Sequence, residues 1–192
     1  MAHVTLPDRP KGVIGRLAFG YSRRRFGRLV EPAMAAAHHR GVLVAMGALE
    51  TAVGAGWRRL DPGLRGLALQ LASALIGCSW CVDYGYYESQ QKGMDPAKIR
   101  DVASWRDSAL YDERERAVLE YAELATETPV DVPDEVMSRL RRHLSEAEVV
   151  ELASWVALEN FRSRFNGGLG LKSQGFADEC AVPLEAVATG RL

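Results

Sequence analysis

The hydrophobic and polar positions of this chain recur with the spacing of α-helices. In the stretch 12–30, apolar residues follow the helical period at Val13, Ile14, Leu17, Ala18 and Tyr21. No segment alternates with the period of two that marks a half-buried strand. Leucine, alanine, glutamate and arginine dominate, and isoleucine and threonine are scarce, which favours helix over strand. The pattern predicts an all-α fold.

Helix breakers and caps divide the chain into helix-length pieces. Asp61-Pro62 marks one start, because proline suits the first turn of a helix. Two other starts have the spacing of a reciprocal cap, Asp112-x-x-Glu115 and Ser145-x-x-Glu148. We expect helices over 12–30, 32–39, 42–53, from 62, 78–92, from 96, 112–126, from 134 and 145–165.

Length and composition are those of one globular domain. The chain has 192 residues, of which 47% are hydrophobic and 26% are charged. We expect a single domain over 1–192, with loosely packed tails at 1–11 and 176–192, where the helical pattern weakens. Similar segments inside two long predicted helices suggest a duplicated helical pair, Leu71-Ala72-Ser73 and Leu152-Ala153-Ser154.

Charge and hydropathy exclude several classes of partner. A net charge of -1 gives no general attraction to nucleic acid or to an anionic membrane. No apolar run approaches the length of about 18 residues that a membrane-spanning helix needs. The N-terminus lacks the apolar core of a secretory signal, so we expect a cytoplasmic protein whose cysteines rest reduced.

The candidate chemistry lies in the segment Gly77-Cys78-Ser79-Trp80-Cys81. Two cysteines on one helical turn bring their sulfurs within reach of a disulfide. Gly77 ends the preceding helix, which places Cys78 at the cap and Cys81 in the first turn. Unpaired backbone N–H groups there stabilise a thiolate, the form that attacks peroxides and disulfides. By cap geometry alone, Cys78 is the more reactive thiol.

Two other interpretations of the cysteine pair are half of a zinc site and two incidental core thiols. A structural zinc site needs a second pair of ligands. Cys180 and the histidines, His3, His38, His39 and His143, supply none at a recognisable spacing. No βαβ pattern surrounds the motif, which disfavours a thioredoxin fold. We therefore expect redox chemistry with no metal and no cofactor.

These residues carry a resemblance to a known family. A long Ala/Leu-rich helix, Cys-x-x-Cys, an aromatic-rich helix and a closing Gly93 resemble the carboxymuconolactone decarboxylase superfamily, in its alkylhydroperoxidase-D-like branch. The resemblance implies a helical bundle that assembles into homo-oligomers. It further implies that Cys81 attacks the peroxide and that Cys78 resolves the product and meets the reductant.

One part of the family pattern is absent. Its proton relay, a glutamate and a histidine, falls on Gly66 and Gly85 of this chain. Candidate auxiliary groups are Asp83, Tyr84 and His38. A late polar cluster predicts hydrogen bonds between helices or subunits, or a lining of the thiol pocket, and consists of Glu159, Asn160, Arg162 and Arg164.

The expected function is a thiol-dependent oxidoreductase that reduces hydroperoxides or disulfides, with an external dithiol as its reducing partner. Two alternatives remain. The chain is a non-catalytic helical oligomer with a vestigial cysteine pair, or it resembles the lactone decarboxylases, whose chemistry calls for acid–base groups and needs no cysteines. Cys180 lies in the weakly patterned tail and is expected to stay outside the pair.

Overall fold

A computed structural model describes residues 2–177 and is all-helical, with no strand within those residues. It confirms the predicted fold class. The helices are α1 (Gly12–Phe26), α2 (Glu31–Ala36), α3 (Arg40–Gly56), α4 (Pro62–Ile76), α5 (Ser79–Gln91), α6 (Pro96–Asp101), α7 (Glu113–Thr126), α8 (Asp134–Arg141) and α9 (Glu146–Gly168). Within the described part of the chain, no helix is long and apolar enough to cross a membrane.

Helix α4 forms the centre of the bundle and packs against α5, α7 and α9. It is apolar around most of its circumference, and Leu64, Leu67, Ala68 and Leu71 are all buried. A helix that is hydrophobic on every side is stable only when neighbours cover it on every side. The central position of α4 therefore follows from its sequence, and α4 and α5 together present the cysteine pair to the core.

The junction between α4 and α5 forms as the sequence predicts. Gly77 takes a left-handed conformation with φ of 79°, which ends α4. The Cys78 N–H then donates to the Ser73 carbonyl at 3.0 Å, and Cys78 becomes the N-cap of α5. The observed helix, Ser79–Gln91, lies within one residue of the predicted 78–92 at each end.

Both predicted reciprocal caps are present at the starts of α7 and α9. The predicted helix 12–30 was too long, because Gly27 adopts φ of 71° and ends α1 at Phe26. The two segments that suggested a duplication lie in α4 and α9, which pack together. The duplication itself and the single domain over 1–192 stay predictions.

The chain ends make specific contacts where they are described. The His3 N–H donates to the Leu169 carbonyl at 2.8 Å, within the predicted tail 1–11. After α9, residues 171–177 return across the start of α5, and we call this segment the C-terminal strap. Residues 178–192, which hold Cys180 and most of the second predicted tail, lie outside the described residues.

Candidate redox site

The cysteine pair occupies the first turn of α5 with the geometry of a disulfide. The Cα atoms of Cys78 and Cys81 lie 5.3 Å apart, and their sulfurs are within bonding distance. Both side chains are buried, with 2% of Cys78 and 7% of Cys81 exposed. The pair can therefore interconvert between dithiol and disulfide without rearrangement of the helix.

Each sulfur accepts one hydrogen bond from a nitrogen. The backbone N–H of Cys81 donates to Cys78 Sγ at 3.2 Å, as in any helix cap. The side chain of Asn166 donates to Cys81 Sγ at 3.3 Å through Nδ2. Asn166 is a site residue that was not among those predicted from the sequence. The available signal was a buried polar stripe on α9, in which Glu159, Ser163 and Asn166 follow at helical spacing.

Asp83 anchors the C-terminal strap to α5. Its buried carboxylate accepts hydrogen bonds from the backbone N–H groups of Gln174, Phe176 and Ala177 and from the Ser173 hydroxyl, at 2.8–3.1 Å. Within residues 2–177 its hydrogen bonds go to the strap and none reaches a cysteine. Asp83, a candidate auxiliary group by sequence, thus lies two residues after Cys81 with its carboxylate bound to the strap.

Replacement of Asp83 should loosen the strap and destabilise the protein. We expect Asp83→Asn to lower the free energy of unfolding by about 2–4 kcal/mol, because an amide cannot accept from four donors and turns its own N–H groups toward them. Urea unfolding followed by circular dichroism measures the loss. Exposed Asp131→Asn is the matched control, and an equal unfolding midpoint for the two variants would remove the anchoring role.

Tyr84 belongs to an aromatic cluster on the outer side of α5. Its ring stacks on Trp80 with centroids 5.4 Å apart and meets the edges of Phe26 and Phe176. Burial raises the pKa of Tyr84 to about 12, so its hydroxyl stays protonated near neutral pH. The structure makes Tyr84 a packing partner of the strap, since Phe176 lies against it.

His38 lies elsewhere. Its Nε2 contacts the Thr5 carbonyl at 2.7 Å and the Thr5 hydroxyl at 3.2 Å, at the end of α2. Within the described residues, its hydrogen bonds are to Thr5 and none is to the cysteine pair. The structure therefore brings Asp83 and Tyr84 near the cysteines on α5, but it does not bring His38 there.

The two positions of the missing relay are filled by neighbouring side chains. A Cβ atom on Gly85 would collide with Oε1 of Gln70, a buried residue of α4. Gln70 donates through Nε2 to the Val82 carbonyl at 3.2 Å, and its Oε1 has no hydrogen-bond partner in the described part of the chain. A Cβ atom on Gly66 would lie 2.6 Å from Met94 Sδ. A neutral amide and a thioether thus occupy the space that larger relay residues would need.

The late polar cluster of α9 forms hydrogen bonds between helices. Glu159 Oε1 accepts from the hydroxyls of Ser73 at 2.9 Å and Ser163 at 2.8 Å, and its other oxygen accepts from Arg162 at 3.4 Å. Burial raises the pKa of Glu159, although Arg162 and the two serines oppose that change. The Ser73 carbonyl also accepts a hydrogen bond from the Cys78 N–H, so Ser73 links the Glu159 carboxyl to the N-cap of α5.

The other members of that cluster contact α7 and the loop after it. Asn160 donates to the Thr126 hydroxyl at 3.1 Å, and Arg164 donates to the Thr126 carbonyl at 3.3 Å. These contacts match the predicted role between helices. Among the described residues, no group of three or more His, Cys, Asp or Glu side chains is arranged to hold a metal ion.

Comparison with known proteins places this site in a family. Residues 40–124, which include both cysteines, match the Carboxymuconolactone decarboxylase family. The uncharacterized protein YnjA of Escherichia coli strain K12 is 34% identical over 124 residues, which cover 65% of this chain and 66% of YnjA. The chain thus spans about two thirds of the length of this curated relative.

Two solved structures have the same fold. One is ATU0492 of Agrobacterium tumefaciens, a protein of unknown function described as an antioxidant defence protein AhpD. It is 28% identical to this chain with a TM-score of 0.68, and the match covers 72% of this chain and 94% of ATU0492. An uncharacterized peroxidase-related protein of Ralstonia eutropha JMP134, an alkylhydroperoxidase AhpD core, has a TM-score of 0.80 at 20% identity, covering 95% and 97%. The fold is that of the AhpD-like helical proteins. Residues 40–124 of this chain therefore belong to the Carboxymuconolactone decarboxylase family, and the chain has the AhpD-like fold.

Proposed function

We propose that this protein is a thiol-dependent oxidoreductase that reduces hydroperoxides or disulfides through Cys81 and Cys78. The observation that carries the proposal is the cysteine pair at the start of α5, with its sulfurs at bonding distance and a nitrogen donor on each. Donors of this kind favour the thiolate, which is the reactive form. The family match and the AhpD-like fold support the same chemistry.

The proposed cycle oxidises the pair by two electrons. The Cys81 thiolate attacks the O–O bond of a hydroperoxide and takes the terminal oxygen as a sulfenic acid, while the departing alkoxide gains a proton and leaves as an alcohol. The Cys78 thiolate then attacks Cys81 Sγ and releases the oxygen as water, which closes the disulfide. An external dithiol reopens it by two exchange steps and is itself oxidised to a disulfide.

The assignment of roles to the two cysteines follows the family and one contact. The helix cap alone favours Cys78, whose sulfur accepts the Cys81 N–H. The side-chain donor of Asn166 reaches Cys81 instead, which supports Cys81 as the attacking thiol. Because both sulfurs are buried, we expect small hydroperoxides to react faster than bulky ones.

Steady-state turnover tests this function. With a dithiol as reductant, we expect the protein to reduce tert-butyl hydroperoxide and a small-molecule disulfide catalytically, and we expect Cys180→Ser to turn over at the same rate. If the protein is instead a non-catalytic helical oligomer, both substrates should be reduced no faster than in a reaction that lacks the protein. Turnover of a lactone substrate with no dependence on the cysteines would instead favour decarboxylase chemistry.

We also propose that the protein acts in the cytoplasm as a homo-oligomer. Helices α1 and α3 leave an apolar surface exposed, formed by Val13, Leu17, Tyr21, Val44 and Leu49. The first three follow at intervals of four residues along α1, so they form one stripe. An exposed apolar stripe like that on α1 favours an interface with another protein chain, and a second copy is the partner that the family resemblance implies.

Charges placed on this surface should dissociate the oligomer. We expect the Leu17→Lys, Val44→Lys double variant to sediment near the monomer mass of 21.1 kDa, because lysine would have to be buried unpaired in the interface. Val130→Lys, at an equally exposed apolar residue in the loop after α7, is the control and should keep the wild-type mass. A wild type that sediments as a monomer at micromolar concentration would contradict the proposal.

A further inference from the structure

We propose that Asn166 is a catalytic residue of this site, and that its side-chain N–H stabilises the thiolate of Cys81. The inference rests on the proposed function and deepens it by naming the group that activates the attacking sulfur. Its basis is the contact of 3.3 Å between Asn166 Nδ2 and Cys81 Sγ, made inside the core between two helices. The nitrogen touches the atom that reacts.

The fold holds the Asn166 side chain in place. Asn166 is 2% exposed and lies in the last full turn of α9. One turn earlier on the same face, fully buried Ser163 donates to Glu159, and Glu159 accepts from Ser73 of α4. This chain of contacts fixes the rotation of α9 against α4. The amide therefore meets the sulfur without the entropy loss that a mobile side chain would suffer.

The contact discriminates between the states of the sulfur. A hydrogen bond to a charged acceptor is stronger than one to a neutral acceptor. The N–H of Asn166 therefore favours the Cys81 thiolate over both the thiol and the disulfide. Two consequences follow: the pKa of the Cys81 thiol is lowered, and the disulfide becomes easier to reduce.

Within residues 2–177, the side chain that donates to Cys81 Sγ is the neutral Asn166 and not a charged group. The titratable groups within three residues of Cys81 are Cys78, Asp83 and Tyr84. Those on α9 from Glu159 to Asn166 are Glu159, Arg162 and Arg164, of which Arg164 donates to Thr126. The carboxylate of Asp83 would raise the pKa of a nearby thiol, and Arg162 is paired with Glu50 and Glu159. The face of α4 contributes the neutral Gln70 and Ser73. Besides the helix start itself, Asn166 is the stabilising group that contacts this sulfur among the described residues.

The amide is poorly explained as a stabilising element of the fold. Its Oδ1 is buried and has no hydrogen-bond partner among residues 2–177. An unpaired acceptor in the interior destabilises a protein, and an apolar side chain of the same size would avoid that cost. Replacement by leucine should therefore leave the thermal stability equal or higher, while the chemistry of Cys81 changes. A structural residue would behave in the opposite way.

The test measures the pKa of Cys81 directly. Cys78→Ser and Cys180→Ser leave Cys81 as the one thiol of the chain, which has three cysteines. The rate of iodoacetamide alkylation against pH then gives the pKa, and the measurement needs no catalytic turnover. We expect Asn166→Leu in this background to raise the pKa by about one unit, a tenfold loss of thiolate near neutral pH. Asn166→Asp should raise it further, because its carboxylate repels the thiolate.

Asn160→Leu is the matched control. Asn160 lies on the same helix but donates to Thr126 and to the Val156 carbonyl, so its loss should leave the pKa of Cys81 unchanged. An unchanged pKa in folded Asn166→Leu and Asn166→Asp would overturn the inference. Loss of folding in both variants, with Asn160→Leu folded, would assign Asn166 to the fold and would also overturn it. A shifted pKa in a protein without turnover would sink the proposed function and leave the role of Asn166 standing.

Discussion

Replacing Cys81 with serine should reduce hydroperoxide reduction to the uncatalysed background, a loss of at least about 10³-fold. Serine keeps the shape of the first turn of α5 but removes the nucleophile, since a hydroxyl is not ionised near neutral pH. Cys78→Ser should behave differently. It should react once with peroxide and then stop, because the sulfenic acid on Cys81 has no neighbouring thiol to close the disulfide.

Single-turnover kinetics separate the two variants. Dimedone, which traps sulfenic acids, should label Cys81 in Cys78→Ser after one equivalent of hydroperoxide and should label nothing in Cys81→Ser. Cys180→Ser is the control for a thiol outside the pair and should match the wild type. Labelling of Cys78 in Cys81→Ser, at a rate near that of the wild type, would show that the helix cap selects the attacking cysteine and that the two roles are exchanged.

Restoring a proton relay should raise peroxide reduction by on the order of 10²-fold, provided that the space is cleared first. Gly66→Glu with Gly85→His alone should misfold or lose packing, because Met94 and Gln70 occupy the positions of the new side chains. Adding Gln70→Ala and Met94→Ala removes both obstacles. Both glycines are helical, so their replacement also favours the helices by up to about 1 kcal/mol each.

The gain should be specific to peroxides. Peroxide cleavage benefits from a general acid at the leaving alkoxide, whereas thiol–disulfide exchange needs mainly a thiolate and access. Turnover with a small-molecule disulfide should therefore change little in the quadruple variant. Gln70→Ala with Met94→Ala, without the relay residues, is the control and should show no gain. A folded quadruple variant with no gain, beside a wild type already fast with peroxide, would mean that another group serves as the relay.

The parts of the fold that could be predicted from the sequence depend on local interactions. The α4–α5 junction needs only Gly77 and Cys78, and the two reciprocal caps need residues three apart. The central place of α4 follows from an apolar pattern around most of its circumference. The predicted helix 12–30 extends beyond the end of α1 because the prediction does not treat Gly27 as a left-handed C-terminal cap. Gly27 and Gly77 both have a positive φ and end their helices in the same way.

The contacts that complete the site join residues far apart in the sequence. Asn166 donates a hydrogen bond to Cys81, 85 residues earlier in the sequence. Asp83 accepts one from the backbone N–H of Gln174, 91 residues later. No periodicity encodes such pairs, because they depend on how α9 and the strap pack against α5. The sequence also does not show that Gln70 fills the space beside Gly85. A glycine indicates only that a side chain is missing, and not which neighbour takes its place.

A stoichiometric thiol titration shows whether hydroperoxide oxidises Cys78 and Cys81 as a pair. Reduced protein is mixed with one equivalent of hydroperoxide, and its free thiols are counted over time. We expect a fast loss of two of the three thiols per chain, with Cys78 and Cys81 recovered as one disulfide-linked peptide by mass spectrometry. A slow loss, the loss of a single thiol, or both cysteines recovered free after peroxide treatment would contradict this expectation.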